Sequence, residues 1–319
     1  INVCGEWDEK KDFFYENKID VIDLSFSYFK YLPKRGYLGS RISYFLILFI
    51  SIIPLIRFLF KHRPQFVIGH LLTILPIILF NIFNLKSKLI LRISGFPRLN
   101  FLRKNLWKIL SKKIDKITCP SEDLKSQLIK DKIFESKKLF FLPDPIINVE
   151  KYKDDLKKFK SEKNANYQNY FIAVGRLTKQ KNFSYLIDEF HKYSQNQPKY
   201  NLLIFGEGEE RKKLEKKIHD LKLEKKIFLM GFSENIFSFM KRADAFILTS
   251  LWEDPGFVII EAAFCNLFVI SSDCKNGPNE FLLNGKGGIL FKKNSKNELK
   301  ASLNFFDNLT NDEKNLMKL

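Results

Sequence analysis

Short apolar runs alternate with helix-like segments along most of the chain. In the second half each apolar run ends at a glycine or a polar residue, and a helical segment follows. Such alternation predicts right-handed crossovers, and hence α/β domains with parallel sheets. The strands predicted for this half are Tyr170–Val174, Tyr200–Phe205, Ile227–Leu229, Ala245–Leu248, Phe268–Ile270 and Gly287–Phe291, and a helix from Glu298 to Phe306 closes the chain.

The first half shows the same alternation, and a polar, lysine-rich stretch separates the halves. With 319 residues, the chain is long enough for two domains. We predict a first domain over residues 1–148, a linker over 149–169 and a second domain over 170–319. The strands predicted for the first domain are Asp20–Leu24, Pro64–His70, Lys88–Ser94, Lys116–Cys119 and Leu139–Leu142.

The first half is also basic and apolar. From Leu24 to Ile114 there are sixteen Lys or Arg residues and no Asp or Glu, and the whole chain has a net charge of +18. This pattern is typical of a surface that meets anionic lipid. Nucleic acid is a rival partner, but no zinc-finger or RNA-binding signature is present. An AT-rich genome is a third explanation, because it raises Lys, Asn, Ile and Phe without functional cause. We favour a membrane surface and no nucleic acid.

The most apolar segment, Ile42–Ile56, is fifteen residues long and carries no charge. A membrane span needs about 20 residues, and Pro54 interrupts the run. We therefore predict an apolar helix that is buried or lies partly in the membrane interface. The four cysteines have no paired spacing, and residues 1–20 lack the apolar core of a signal peptide. A cytoplasmic protein bound peripherally to the inner face of the membrane is expected.

Two glutamates lie on either side of a predicted helix start. Asp254 is a favourable N-cap and Pro255 a favourable first helical residue. Glu253 is therefore expected on the loop after a strand, and Glu261 inside the following helix. The N–H groups of Gly256, Phe257 and Val258 would then have no helical acceptor and would suit phosphate or sugar oxygens.

Other loops of the second half are expected to meet this one, because parallel sheets bind ligands beyond the carboxyl ends of their strands. Gly175 allows close backbone approach, and Arg176 and Lys181 add two cations suited to a diphosphate. Tight turns are expected at Gly206 and Gly231, whose backbones could border a ligand or a nucleobase edge.

These loops together resemble a known family. The order Gly175-Arg-x4-Lys181, Gly206-x-Gly208, Gly231, Glu253-Asp-Pro-Gly-Phe-Val-Ile-Ile-Glu261 and Asn276-Gly-Pro278-x-Glu280 is similar to the nucleotide-sugar domain of GT-B glycosyltransferases. The resemblance is closest to the retaining family four, glycosyl transferases group 1, and covers about residues 170–292. It implies two Rossmann-like domains with parallel sheets facing a cleft, the first being the acceptor domain.

The resemblance also implies a reaction. Arg176 and Lys181 would hold the diphosphate and stabilise the departing nucleoside diphosphate, so that no metal would be required. Glu253 would contact the sugar, Glu261 the ribose, and the backbone of Gly256–Val258 the donor. A hexose or N-acetylhexosamine would move with retention from a nucleotide sugar, UDP-linked by expectation, to a lipid-linked or polysaccharide acceptor of the cell envelope. The catalytic candidates are Arg176, Lys181 and Glu253.

The sequence departs from this family in three places. The glycine-rich loop after the first strand is absent and the closing helix is cut short, so we expect a piece of a longer protein or an inactive remnant. A histidine often follows a late strand of the family's acceptor domain; here that place reads Arg92-Ile-Ser-Gly-Phe-Pro97. His70 is the substitute candidate on the acceptor side. Two alternative functions stay open, a nucleotide-sugar epimerase and a non-catalytic membrane-binding protein.

Overall fold

The computed structural model describes residues 11–21, 37–70, 74–96, 100–150, 152–154, 157 and 167–318. Contacts group the chain into two compact units, Ile1–Arg92 with Leu99–Ile117, and Ile93–Arg98 with Thr118–Leu319. The predicted strand Asp20–Leu24 falls largely outside the described residues, and the predicted linker does so in part. The domain boundaries proposed above therefore stay predictions.

The first sheet confirms the alternation predicted for the first half. Its strand order is β1-β2-β3-β4, and β1 and β2 run parallel. The strands are β1 (Phe66–His70), β2 (Lys88–Arg92), β3 (Lys116–Cys119) and β4 (Leu139–Phe141). The helices of this half are α1 (Lys11–Glu16), α2 (Tyr37–His62), α3 (Ile74–Ile82), α4 (Phe101–Leu110) and α5 (Glu122–Lys130).

Helix α2 is longer than the sequence predicted. It has 26 residues and continues through Pro54, which the sequence analysis took as an interruption. The added turns come from residues 37–41 and 57–62, which extend the helix beyond the uncharged run at both ends. Its window Phe45–His62 has a mean hydropathy of 1.9 and is 11% buried. By length and composition alone this window is sufficient to cross a membrane, a test that core helices and signal sequences also pass.

Two helices of the first half begin at side-chain caps. The Asn100 carboxamide oxygen accepts the N–H of Arg103, and the Ser121 hydroxyl accepts the N–H of Leu124. Each cap satisfies one first-turn donor that has no partner inside the helix. Helix α5 therefore starts at Glu122, directly after its Ser121 cap.

The second sheet contains the remaining strands of the described residues, in the order β10-β9-β8-β5-β6-β7. Every pair with a described register is parallel, as predicted. The strands are β5 (Tyr170–Val174), β6 (Asn201–Phe205), β7 (Ile227–Gly231), β8 (Ala245–Leu248), β9 (Phe268–Ser272) and β10 (Ile289–Phe291). The helices are α6 (Phe183–Ser194), α7 (Arg211–Asp220), α8 (Ile236–Met240), α9 (Val258–Phe264), α10 (Pro278–Phe281), α11 (Glu298–Asn308) and α12 (Asn311–Leu316). Helix α12, begun by a Thr310 capping box, follows the helix that was predicted to close the chain.

Helices cover both faces of this sheet. Successive side chains of a strand point to opposite faces, so each strand contributes to both buried layers. Along β5, Phe171 and Ala173 belong to one buried cluster, and Tyr170 and Ile172 belong to the other. Phe171 lies at the centre of its cluster, where its ring contacts those of Phe190, Tyr193, Tyr200 and Phe306. Such a doubly covered sheet gives rigid support to the loops at its edges.

Replacing Phe171 with Ala is expected to lower the free energy of unfolding by about 3–5 kcal/mol, because it leaves a cavity among these rings. Phe232, which is 78% exposed, is the matched control, and its replacement by Ala is expected to change stability by less than about 0.5 kcal/mol. Urea unfolding followed by fluorescence measures both. Equal losses of unfolding free energy in the two variants would contradict the assignment of Phe171 to the core.

Candidate active site

The strand order of the second sheet indicates the edge at which a ligand would bind. After β5 the chain adds β6 and β7 on one side and then crosses to add β8 on the other side of β5. The carboxyl ends of β5 and β8 therefore flank the point where the winding direction changes, which is where open parallel sheets bind ligands. Gly175 and Arg176 follow β5, and Glu253 follows β8. The topology thus brings together the loops that the sequence analysis singled out.

A cleft of about 300 Å³ lies at this edge. Its lining contains most of the predicted site, namely Gly175, Arg176, Lys181, Glu253, Gly256, Phe257, Val258 and Glu261. Val174, Gln180 and Asp254 complete the lining. Gly206 and Gly231 are outside the lining, and His70 ends β1 as an exposed residue. The structure therefore brings together the donor-side candidates except Gly206 and Gly231, and leaves His70 without an assigned role.

A buried ion pair lies in this cleft. The Lys181 Nζ donates to Glu253 Oε1 at 2.6 Å, and the two side chains are 14% and 4% exposed. The Ser250 hydroxyl, itself fully buried, donates to the same carboxylate oxygen. A buried carboxylate is costly unless it is paired and hydrogen-bonded, and both conditions are met here. The pair joins the loop after β5 to the loop after β8.

Further bonds join the same two loops. The Thr249 hydroxyl donates to the Lys181 carbonyl at 2.9 Å, and the Gln180 amide donates to the Trp252 carbonyl at 3.0 Å. The N–H of Leu251 donates to the Gln180 carbonyl at 2.8 Å. Thr249, Ser250 and Gln180 were not among the predicted site residues. Their only signal was position, since they are the polar neighbours of the predicted cation and carboxylate.

Arg176 differs from Lys181 in its surroundings. Its side chain is exposed, and among the residues that the structure describes it forms no ion pair. A guanidinium presents several donors in a fixed fork, a geometry that matches phosphate oxygens. The cleft thus combines one cation already paired with a carboxylate and one that faces solvent.

The glycines allow the loops beneath the cleft to touch. A Cβ on Gly206 would lie 2.0 Å from the Gly175 carbonyl oxygen, and both glycines have positive φ. The N–H of Gly206 donates to the Gly231 carbonyl at 2.7 Å, and that of Gly175 to the Phe205 carbonyl at 2.9 Å. Gly206 and Gly231 therefore support the cleft from below through backbone contacts.

The helix after Glu253 starts later than predicted. The structure gives Phe257 as the N-cap and begins α9 at Val258, so the prediction of Asp254 as the N-cap and Pro255 as the first helical residue was wrong. The Asp254–Pro255 peptide bond is cis, and a turn over residues 254–257 precedes the helix. Glu253 still lies on the loop after β8, and Glu261 inside α9, as expected.

The segment after β2 approaches this turn. A Cβ on Gly95 would lie 2.3 Å from the Asp254 carboxylate, so that any larger residue there would displace the acid. Gly95 belongs to the stretch where the related family often has a histidine. Contact with the Asp254 side chain, next to Glu253, therefore favours a small residue at this position.

Cys274 is the titratable neighbour of the ion pair. Burial, together with the nearby Glu253 carboxylate, raises the pKa of its thiol to about 12. The side chain is 3% exposed. Cys274 is therefore an uncharged thiol near neutral pH and not a nucleophile, since only a thiolate would attack. No group of three or more His, Cys, Asp or Glu side chains suited to a metal ion occurs within the described ranges.

Comparison with known proteins assigns the chain to a family. The profile of glycosyl transferases group 1 matches residues 154–318. The chain belongs to this family. It is 40% identical over 147 residues to the uncharacterized glycosyltransferase MJ1059 of Methanocaldococcus jannaschii, covering 42% of this chain and 36% of that protein. The chain therefore spans only about a third of that relative's length.

A second relative matches over more of the chain. It is the N-acetylgalactosamine-N,N'-diacetylbacillosaminyl-diphospho-undecaprenol 4-alpha-N-acetylgalactosaminyltransferase of Campylobacter jejuni. The identity is 25% over 246 residues, which cover 76% of this chain and 64% of that protein. Among solved structures, HepE of Anabaena in complex with UDP superimposes with a TM-score of 0.72, at 17% identity, over 96% of this chain and 82% of that chain. These similarities confirm the predicted α/β class and the GT-B fold.

The ion pair generates a stability prediction. Replacing Lys181 with Met leaves a buried carboxylate without its cation and is expected to cost about 3–5 kcal/mol of unfolding free energy. Adding Glu253→Gln removes the stranded charge, so the double variant is expected to be more stable than Lys181→Met alone. Lys137→Met, which breaks an exposed pair with Glu135, is the control and should cost less than about 1 kcal/mol. A double variant no more stable than Lys181→Met would contradict the pairing.

Proposed function

We propose that this protein transfers a hexose or N-acetylhexosamine from a nucleotide sugar to a lipid-linked or polysaccharide acceptor, with retention of configuration. The observation that carries the proposal is the cleft at the ends of β5 and β8, where two cations and the three carboxylates of Glu253, Asp254 and Glu261 line the same space. A nucleotide sugar has the complementary groups, a diphosphate for the cations and hydroxyls for the carboxylates. Membership of the family adds the reaction class.

Arg176 and Lys181 provide the electrostatic stabilisation. Negative charge builds up on the diphosphate as the bond to the sugar breaks, and preorganised cations stabilise that charge most where water is excluded. Two cations supply this stabilisation without a metal, and we propose a metal-independent transfer. UDP is the proposed leaving group; the solved structure of HepE contains it.

The carboxylates position the donor. Glu253 is held by Lys181 and Ser250 through one oxygen, Oε1. We assign Glu253 to the sugar hydroxyls and Glu261 to the ribose, with the N–H groups of Gly256, Phe257 and Val258 alongside. In this proposal neither acid serves as a nucleophile. Positioning of the donor and stabilisation of the departing nucleoside diphosphate promote the reaction instead.

Relatives support cell-envelope glycan synthesis as the pathway class. The Campylobacter relative is named for a diphospho-undecaprenol acceptor. Another relative, from Staphylococcus aureus, is a poly(ribitol-phosphate) alpha-N-acetylglucosaminyltransferase, 27% identical over 154 residues, 48% of this chain and 30% of that protein. An acceptor that is lipid-linked or polymeric is consistent with both.

Transfer is tested with a panel of nucleotide sugars and lipid-linked acceptors, by release of nucleoside diphosphate and detection of the glycosylated product. Arg176→Ala is expected to lower kcat by about 100-fold, because it removes charge stabilisation in the transition state. Lys179→Ala is the matched control, an exposed cation of the same loop outside the cleft lining, with an effect below about twofold.

Three results would contradict the proposal. The wild type could release no nucleoside diphosphate with any donor, or Lys179→Ala could be as damaging as Arg176→Ala. A free sugar product formed without any acceptor would instead support an epimerase-type reaction.

We further propose that the first unit binds an anionic membrane surface, on the cytoplasmic side. Helix α2 exposes an apolar stripe at helical spacing, made of Ile42, Phe45, Leu46, Phe49 and Ile53. Helix α4 exposes a second stripe of Leu102, Leu106 and Ile109. Exposed apolar stripes of this length are unusual on a protein that meets only water.

Basic residues accompany both stripes. Arg57 and Lys61 continue along the exposed side of α2, and Arg103 and Lys108 flank the stripe of α4. An apolar stripe next to lysines and arginines is the arrangement of helices that lie in the interface of anionic membranes. A lipid-linked acceptor would then be presented at the same surface.

Membrane binding is tested by co-sedimentation with vesicles of neutral or of mixed neutral and anionic lipid. Phe49→Asp is expected to weaken binding to anionic vesicles by at least about tenfold, since it places a charge in the apolar stripe. Phe305→Asp, an exposed Phe of α11, is the control and is expected to bind like the wild type. Wild-type binding that is absent, or that does not depend on anionic lipid, would refute this part of the proposal.

A further inference from the structure

We propose that Glu280 is a positioning residue for glycosyl transfer, acting on Glu253 through the loop at residues 275–277. Glu280 does not line the cleft, and no contact with a donor is assigned to it. Its carboxylate instead connects helix α5 to the loop that supports Glu253. The inference rests on the proposed function, since it assigns Glu280 a part in orienting the donor sugar.

The Glu280 carboxylate caps the start of α5. One oxygen accepts the N–H of Glu122 at 3.0 Å, and the other accepts the N–H of Asp123 at 2.8 Å. These first-turn donors have no acceptor inside the helix, and a negative charge at a helix N-terminus is favourable. The two partners are separated by more than 150 residues of sequence.

A second set of bonds reinforces the connection. The Asp123 carboxylate accepts the backbone N–H of Asn276 at 2.9 Å. The Gln127 amide donates to the side-chain oxygen of Asn276 at 2.9 Å and to the Asp123 carboxylate at 3.1 Å. Asn276 is 2% exposed, so these bonds are protected from water. Four side chains, those of Asp123, Gln127, Asn276 and Glu280, therefore hold the loop on α5; we call them the α5 clamp.

The clamped loop in turn supports the donor loop. The Lys275 carbonyl accepts the N–H of Glu253 at 3.0 Å. Gly277 has a φ of 110°, and a Cβ there would lie 1.8 Å from the Pro255 carbonyl oxygen. Residues 275–277 therefore contact the backbone on both sides of Asp254, and any movement of this loop moves Glu253.

Helix α5 is a suitable anchor for this purpose. Leu124 and Leu128 are fully buried, and Ser121 caps the helix. Loss of the clamp is therefore expected to free the loop rather than the helix. The sugar contacts of Glu253 would become imprecise, whereas the diphosphate contacts of Arg176, which lies on another loop, would be unaffected.

The test compares Glu280→Ala with Glu313→Ala. Glu313 is the matched control, because its carboxylate also accepts a backbone N–H at a helix start, in the capping box of α12. Glu280→Ala is expected to lower kcat for the nucleotide sugar by at least about tenfold, and to change the Kd of the nucleoside diphosphate by less than about twofold. Glu280→Gln, which keeps one acceptor oxygen, is expected to give an intermediate kcat.

A second readout does not require activity. Hydrogen exchange of the peptide containing Glu253 reports whether its N–H stays bonded to Lys275. Glu280→Ala is expected to raise this exchange rate by at least about tenfold, and Glu313→Ala to leave it unchanged.

The two proposals fail in different ways. Unchanged exchange in Glu280→Ala overturns the inference even if the wild type turns over no donor. Unchanged kcat, or equal losses of nucleotide-sugar turnover and nucleoside diphosphate affinity, overturns it in an active enzyme. A wild type inactive with every donor counts against the proposed function alone, since the exchange measurement still decides the clamp.

Discussion

The buried pair of Lys181 and Glu253 is the interaction on which the candidate site depends. It joins the loops after β5 and β8 at the point where the sheet changes winding direction, and Ser250 completes its hydrogen bonding. A buried pair of this kind adds little net stability, but removing one partner is costly. Its value here is geometric, because it fixes a cation for a diphosphate beside a carboxylate for a sugar.

Several other features of the second unit support the Lys181–Glu253 ion pair. Close glycine contacts hold the loops beneath the cleft, and the doubly covered sheet holds the loops in register. The α5 clamp fixes the far side of the Glu253 loop. Preorganisation of this kind suits a reaction in which the enzyme supplies position and charge more than covalent chemistry.

The sequence was sufficient for the fold class and for the candidate cleft, because alternating strands and helices leave few topologies and turn glycines mark strand ends. The sequence did not allow contacts between residues that are distant in sequence to be predicted. Glu280 was visible only as part of a motif, since nothing local indicates that it caps α5. The start of α9 was misplaced because favourable N-cap chemistry at Asp254 competes with a turn packed against Gly95 and Gly277. The predicted length of helix α2 was too short because Pro54 was taken as an interruption, whereas the helix continues through it.

The most direct measurement is a crystal structure of the protein with a non-hydrolysable nucleotide sugar. We predict diphosphate oxygens within hydrogen-bond distance of both Arg176 and Lys181, a sugar hydroxyl at Glu253, and ribose hydroxyls at Glu261. Lys181 is predicted to stay beside Glu253 while it contacts the phosphate. Density for the diphosphate away from the cleft between the ends of β5 and β8, or contacting neither cation, would show that this cleft is not the donor site.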